Sequence, residues 1–129
     1  MILDAIADYL EENDLGEVGS TLFIGELPEK FENVVSMVYV PSPEPNKSIP
    51  YYHQTIDFWS RDSDFDNGMA KLQNIMDLLH RAENYDLDGY HVYLSYAGGT
   101  VDDLDRDAKR NHLFKLTMNF IYRRAVESS

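Results

Sequence analysis

Aspartates are the residues whose spacing first suggests chemistry. Asp62, Asp64 and Asp66 alternate within RDSDFDNG, and Asp103, Asp105 and Asp107 alternate within DDLDRDAKR. Alternating carboxylates are how a calcium loop presents its oxygen ligands, but such a loop also needs glycine at its sixth position and glutamate at its twelfth. Counted from Asp62, Gly68 falls seventh and Gln73 twelfth; counted from Asp103, Ala108 and Phe114 occupy the two places. Both runs therefore fail as calcium sites. Ser63 with Asp66 three residues later fits a helix capping box instead, and Arg106, Lys109 and Arg110 neutralise much of the second run.

Other catalytic chemistry is equally hard to assemble. His53, His80, His91 and His112 are scattered, with no H-x-x-x-H pair. No phosphate-binding glycine loop, dinucleotide fingerprint or nucleophile elbow occurs. Gly98-Gly99 marks a loop with unusual dihedrals and nothing more specific. The chain has no cysteine, which removes thiol catalysis, disulfides and thiolate ligands. The expectation is no enzyme, no cofactor and no metal.

Recognition chemistry is better represented. In the run 51–61, Tyr51, His53, Thr55, Asp57, Trp59 and Arg61 share one face at period two. Trp, Tyr and Arg are enriched at interface hot spots, so the face of Tyr51, His53, Trp59 and Arg61 is a candidate subunit contact. Burial of Trp59 under neighbouring elements is the alternative. Pro41, Pro43, Pro45 and Pro50 punctuate the preceding ten residues, PSPEPNKSIP, which excludes a helix or central strand there. That segment is expected to be an extended connection between antiparallel strands. Its Pro-x-Pro-x-Pro pattern also suits an aromatic groove, and Pro43 and Pro45 join the candidate contacts, as do Asp103 and Asp105 in the second long loop.

The elements that must position these residues follow from periodicity. Residues 2–13 carry an apolar helical stripe of Ile2, Leu3, Ile6, Tyr9 and Leu10. Residues 21–25 form a short strand. In Asn33–Val40, Val34, Val38 and Val40 face one way, with Val35, Met37 and Tyr39 facing the other. Tyr52, Ile56 and Phe58 give 51–61 a core face. The helix from Phe65 to Ala82 follows, with a stripe of Phe65, Met69, Leu72, Met76 and Leu79. Leu87-Asp88-Gly89 is a turn. Residues 90–96 are a strand with Val92, Leu94 and Tyr96 on one face. After the loop 97–110 comes a strand 112–122 whose Phe114, Leu116, Met118, Phe120 and Tyr122 point inward, antiparallel to 90–96.

Length and charge bound the class. With 129 residues, 43% of them hydrophobic, the chain is expected to form a single domain, 1–129, with an adequate core. No apolar run is long enough to span a bilayer, and the acidic start MILDAIADYLEEND lacks a signal peptide's basic region, so neither membrane nor targeting segment is expected. Twenty-three acidic against eleven basic residues leave a formal charge of −12. Gripping nucleic acid needs cations at phosphates, so this chain is poorly suited to it, although an acidic wall would let DNA slide past.

The order of elements, with Phe23-Ile24-Gly25-Glu26-Leu27-Pro28, Gln54-Thr55-Ile56 and Arg61 in place, resembles the minor capsid and tail terminator proteins of long-tailed bacteriophages. That family shows a Gly-x-Leu-Pro segment, here Gly25, Leu27 and Pro28. It also shows a strand ending in arginine before a long helix, here Arg61, and an Asp…Arg loop before the final strand, here Asp107 and Arg110. The resemblance implies an α+β fold: an antiparallel or mixed sheet of about four to five strands, packed by two helices on one face. It implies a homo-oligomeric ring, a hexamer, at the head-proximal end of the tail. That ring stops growth of the tail tube and joins tail to head. Its implied partners are the tail-tube protein and a head-completion or neck protein, and DNA passes its lumen without specific binding. The implied location is the virion, after synthesis in the host cytoplasm. A stopper on the capsid side, or an acidic inhibitor mimicking DNA, are the competing readings.

Overall fold

A computed structural model describes residues 2–25, 33–40, 51–106 and 110–124. Two helices, α1 (Ile2–Glu12) and α2 (Phe65–Leu79), accompany seven strands: β1 (Leu22–Ile24), β2 (Val34–Val40), β3 (Tyr52–Asp62), β4 (Ala82–Leu87), β5 (Tyr90–Ala97), β6 (Asp102–Arg106) and β7 (His112–Arg124). The strands make one mixed sheet in the order β1-β2-β3-β7-β5-β4, and β6 also pairs with β7. Among the described strands, only β1 and β2 run parallel. The α+β class therefore holds, with seven strands where four to five were expected.

The long strand β7 explains how it keeps three partners. Along one side it pairs with β3 throughout, from Tyr52↔Tyr122 to Asp62↔His112. Along the other it pairs first with β5, up to Ala97↔Met118, and then with β6, from Asp102↔Lys115. Residues 98–101 leave the ladder between these two stretches, anchored by the Gly98 N–H donating to Thr117 O at 2.8 Å. The region 97–110 is thus not simply a loop. Its acidic half is a strand, exposed at every residue, because its backbone pairs with β7 whether or not its side chains are apolar.

Strand alternation sets the core. Ile56 and Phe58 of β3, Phe114, Leu116, Met118 and Phe120 of β7, Val35 and Met37 of β2 and Val92 of β5 join α1 and α2 residues in one buried apolar cluster. Both helices thus contribute to the core on the same sheet face. On α1 the buried set is Ile2, Leu3, Ala5, Ile6, Ala7 and Leu10. On α2 it is Gly68, Leu72, Ile75 and Leu79, while Phe65 is exposed and Met69 and Met76 lie at the margin. The expected stripe was rotated from the true one because Gly68 has no side chain to register as apolar. It is buried for lack of one: a Cβ there would meet Asp62 Cβ at 2.8 Å and Phe114 Cε2 at 2.9 Å.

Three local expectations change. Asp64, not Ser63, caps α2, its Oδ2 accepting from the Asn67 N–H at 3.0 Å. Ser63 is engaged by Asn33 Oδ1 instead, donating to it through both its backbone N–H and its hydroxyl. The helix ends at Leu79 rather than Ala82, since Arg81 takes a positive φ and Ala82 begins β4. That strand turns into β5 through Asp88-Gly89, with Gly89 at φ +78° and Leu87 opposite Tyr90. In β5 the register slips between Val92 and Leu94, so Tyr93 is an extra residue. The slip turns Ser95, rather than Leu94, into the core with Val92.

Candidate functional site

The sheet's other face lies outside the helix-packed core cluster and is built from the odd residues of β3, with Val34 and Ser36 of β2 buried beside them. The ladder places side chains abreast in rows. Ser36, Trp59, Lys115 and Asp102 form one row, and Val38, Asp57 and Thr117 the next. Beyond them lie Val40, Thr55, Asn119 and Tyr96, then His53, Ile121 and Leu94. Cross-strand contacts order this face. Lys115 Nζ sits over the Trp59 ring, 5.6 Å from its centroid. Thr117 donates to Asp57 Oδ1 at 2.6 Å, and Asn119 Oδ1 accepts from the Thr55 hydroxyl at 2.8 Å with His53 Nε2 3.2 Å away.

The sequence-derived contact residues occupy this face as follows. Tyr51 and His53 are exposed at one end; Tyr51 meets Tyr93 edge-on, and Tyr93 meets His91 in the same way. Trp59 is half-buried near the other end, outside the core cluster. Arg61 is half-buried beyond it, between the β2 and β7 residues Val34 and Leu113. Asp103 and Asp105 lie on β6, away from Tyr51 and His53. Asp103 Oδ1 accepts from the Asp105 N–H at 2.9 Å, a local turn rather than a binding geometry. Pro43, Pro45, Leu27, Pro28 and Asp107 lie outside the described residues.

A second surface was not legible in the sequence. At the open end of the core face, Tyr39, Tyr52, Tyr90 and Tyr122 converge with Ile2 and Arg124 around a cavity of about 300 Å³. Tyr52 stacks on Tyr122 with centroids 5.6 Å apart, and Tyr90 meets Tyr122 edge-on at 5.6 Å. Burial raises the Tyr122 pKa above the ordinary phenol value, the neighbouring tyrosines add to the rise, and Arg124 opposes it. Period-two reading assigned Tyr52 and Tyr122 to the core. Their face was right: Tyr122 packs half-buried against the core cluster, while Tyr52 is exposed at its edge.

A third aromatic group is internal. Tyr9 stacks on Tyr85 at 5.5 Å, and the Tyr85 hydroxyl lies 2.7 Å from Ser95 Oγ. Ser95 donates to Leu79 O at 2.6 Å, so Tyr85 is the donor of the other bond. Burial pushes the Tyr85 pKa up to about 12. This cluster ties α1, the end of α2 and the β4–β5 hairpin together. Nearby, Asp8, Glu11, Glu12, Asp86 and Asp88 rim a cavity of about 480 Å³ between α1 and the hairpin. No group of three or more His, Asp or Glu among the described residues is arranged to hold a metal ion.

Aromatic surfaces of this kind suit assembly. Residues 9–124 match the model of the family described as bacteriophage tail terminator protein. The chain belongs to that family. The match runs from Tyr9 to Arg124 and so takes in the whole sheet, α2 and every residue of both exposed surfaces named above except Ile2. Membership makes the chain a structural component of the phage tail, located in the virion tail and in contact with other virion proteins. No curated protein matches it.

Proposed function

We propose that this terminator-family chain forms a ring, a hexamer, at the head-proximal end of the tail. There it ends tail-tube polymerisation and presents the surface to which the completed head attaches. The role is structural rather than enzymatic. The observation that carries the reading is the two-sided character of the sheet. One face buries both helices, while the other displays Trp59 with Lys115, Tyr51 with Tyr93, and the His53–Asn119–Thr55 cluster. Aromatic residues flanked by satisfied polar groups are the composition of an interface hot spot, and family membership supplies the context. The proposed subunit contacts are Tyr51, His53, Trp59 and Arg61, with Pro43, Pro45, Asp103 and Asp105 in the flanking segments. The proposed partners are the tail-tube protein on one side and a neck or head-completion protein on the other. The chain is made in the host cytoplasm and carries a formal charge of −12. That charge favours a lumen that repels DNA phosphates and lets the genome slide through.

Deleting the gene tests this reading. Electron micrographs of the deletion phage are expected to show tails of excessive and variable length. Tails of normal length on heads that leak DNA would assign the chain to the capsid side as a stopper instead. A salt-sensitive complex with a basic host protein, with tails unaffected, would favour an acidic DNA mimic.

A further inference from the structure

The tyrosine-lined cavity and the edge strand β6 sit toward opposite ends of β7 and complement one another. We infer that the cavity of one copy takes Leu104 of a second copy, with the carboxylates of Asp103 and Asp105 meeting Arg124, an inference that rests on the ring reading. The cavity is small, about 300 Å³, which suits one aliphatic side chain better than a larger ligand. Its wall is aromatic: Tyr52 stacks on Tyr122, and Tyr90 stands nearly perpendicular to Tyr122 at 77°. Arg124 also lines it, is exposed, and pairs with no carboxylate among the described residues. A hollow walled by tyrosine rings beside such a guanidinium calls for an apolar knob flanked by anions.

Strand β6 offers that combination. Its register with β7 slips between Asp103 and Arg106, and Asp105 takes a φ of +74°, so Leu104 and Asp105 leave the ladder. Asp103 Oδ1 accepts from the Asp105 N–H and Asp105 Oδ1 from the Arg106 N–H, each at 2.9 Å, which closes a tight turn around Leu104. The turn itself binds nothing, but it holds a leucine that is 37% exposed between two exposed carboxylates. Each carboxylate keeps its Oδ2 outside these bonds, and Arg124 and the tyrosine hydroxyls supply donors for it.

A chain cannot dock its own β6 in its own cavity. Pairing of β6 with β7 begins at Lys115 and runs toward His112, whereas Tyr122 lies seven residues beyond Lys115, about 24 Å at about 3.4 Å per residue. Knob and cavity must therefore come from different copies, and every copy carries both. A contact between two unlike patches is head-to-tail, and such contacts close into rings when the rotation between copies permits. It also sets two of the chain's excess acids against one of its few bases, which lowers the repulsion between copies of formal charge −12.

The absence of cysteine gives a clean test. The full-length chain carrying both Leu104→Cys and Tyr39→Cys is assembled, alone and on tails, and oxidised, with ring formation followed by native mass spectrometry and electron microscopy. Both positions are exposed, so the core is spared. Their separation along β7 bars a bridge within one chain. The expected result is a ladder of disulfide-linked species reaching the whole ring, where each single variant stops at a dimer. Adding Asp103→Asn and Asp105→Asn keeps the Oδ1 acceptors of the turn and removes both charges. That change is expected to cut the ladder roughly tenfold, in line with losing a charge-assisted bond. Leu104→Cys with Tyr52→Cys serves as a second pair. Rings that form without a ladder from either pair would overturn the inference and leave the ring reading intact. An undiminished ladder from the asparagine variant would overturn the pairing with Arg124. Chains that stay monomeric in solution and on tails would overturn the ring reading, and this inference with it.

Discussion

Lys71 Nζ lies 3.1 Å from Oδ2 of Asp62, a carboxylate with no solvent exposure at the end of β3. The same oxygen accepts from Asn67 Nδ2 at 2.9 Å, and Oδ1 accepts from the Asp64 N–H at 3.0 Å. Lys71 also donates to Asn33 O at 2.8 Å, so one ammonium holds the start of β2 against the start of α2. Removing one partner of a buried pair strands the other charge, at a cost of about 3–5 kcal/mol. Asp62 keeps two hydrogen bonds, which favours the low end. Lys71→Met is therefore expected to lower unfolding free energy by about 3 kcal/mol in urea titration. An unchanged midpoint would show that the pair contributes nothing net.

Gly68→Ala sets two effects against each other. Alanine improves intrinsic helix stability by about 1 kcal/mol. Its methyl group would press into Asp62 and Phe114 at under 3 Å, and such overpacking typically costs about 1–3 kcal/mol. Neither neighbour has a flexible end at the contact. The variant is expected to melt at a lower temperature than the parent, and a higher midpoint would refute this account of the helix–strand approach.

Tyr85 links stability to alkaline pH. Its phenol titrates near 12 in the folded chain and near 10.0 when unfolded, because burial disfavours the phenolate. Below pH 10 both states hold the proton and stability is complete. Between about 10 and about 12 the unfolded state alone gives it up, and stability falls by up to about 2–3 kcal/mol. Tyr85→Phe is expected to lose about 1 kcal/mol at neutral pH, from the missing bond to Ser95. It should also show a shallower alkaline decline. Denaturation series across that range measure both, and parallel declines in the two proteins would exclude Tyr85 as the source.

Trp59→Ala separates assembly from folding. Within one chain the ring's specific partner is Lys115, a contact worth about 0.5–1 kcal/mol. An interface hot spot is worth about 2 kcal/mol or more. If the proposed ring uses this face, its formation is expected to suffer far more than the thermal midpoint. Intact rings from a markedly less stable chain would show that Trp59 serves packing alone.

Much of the fold was legible where side chains alternate cleanly. The faces of β2, β3 and β7 and the start of α2 follow directly from their apolar periods. The strands β4 and β6 were invisible because AENYDL and DDLDR are polar edge sequences, held by backbone pairing that leaves no hydrophobic trace. Ser95 and Leu94 were exchanged because a bulge at Tyr93 shifts the phase, and no residue type announces it. The tyrosine cavity is a product of register. Tyr39, Tyr52, Tyr90 and Tyr122 come from four strands and meet only once those strands are aligned. The face of Tyr51, His53 and Trp59, by contrast, lies along a single strand, and one period sufficed to find it.

The pairing of β3 with β7 also has a mechanical meaning. Eleven consecutive register positions join the two strands, and hydrogen bonds in an antiparallel pair lie across the strand direction. A pull along β7 loads all of those bonds in shear at once. A pull at β4, held to β5 through five register positions at the sheet's margin, peels them one after another. In the proposed head-joining role, such a pull would come from the load carried between head and tail. A subunit whose central strands bear that load in parallel yields last at its middle and first at its rim.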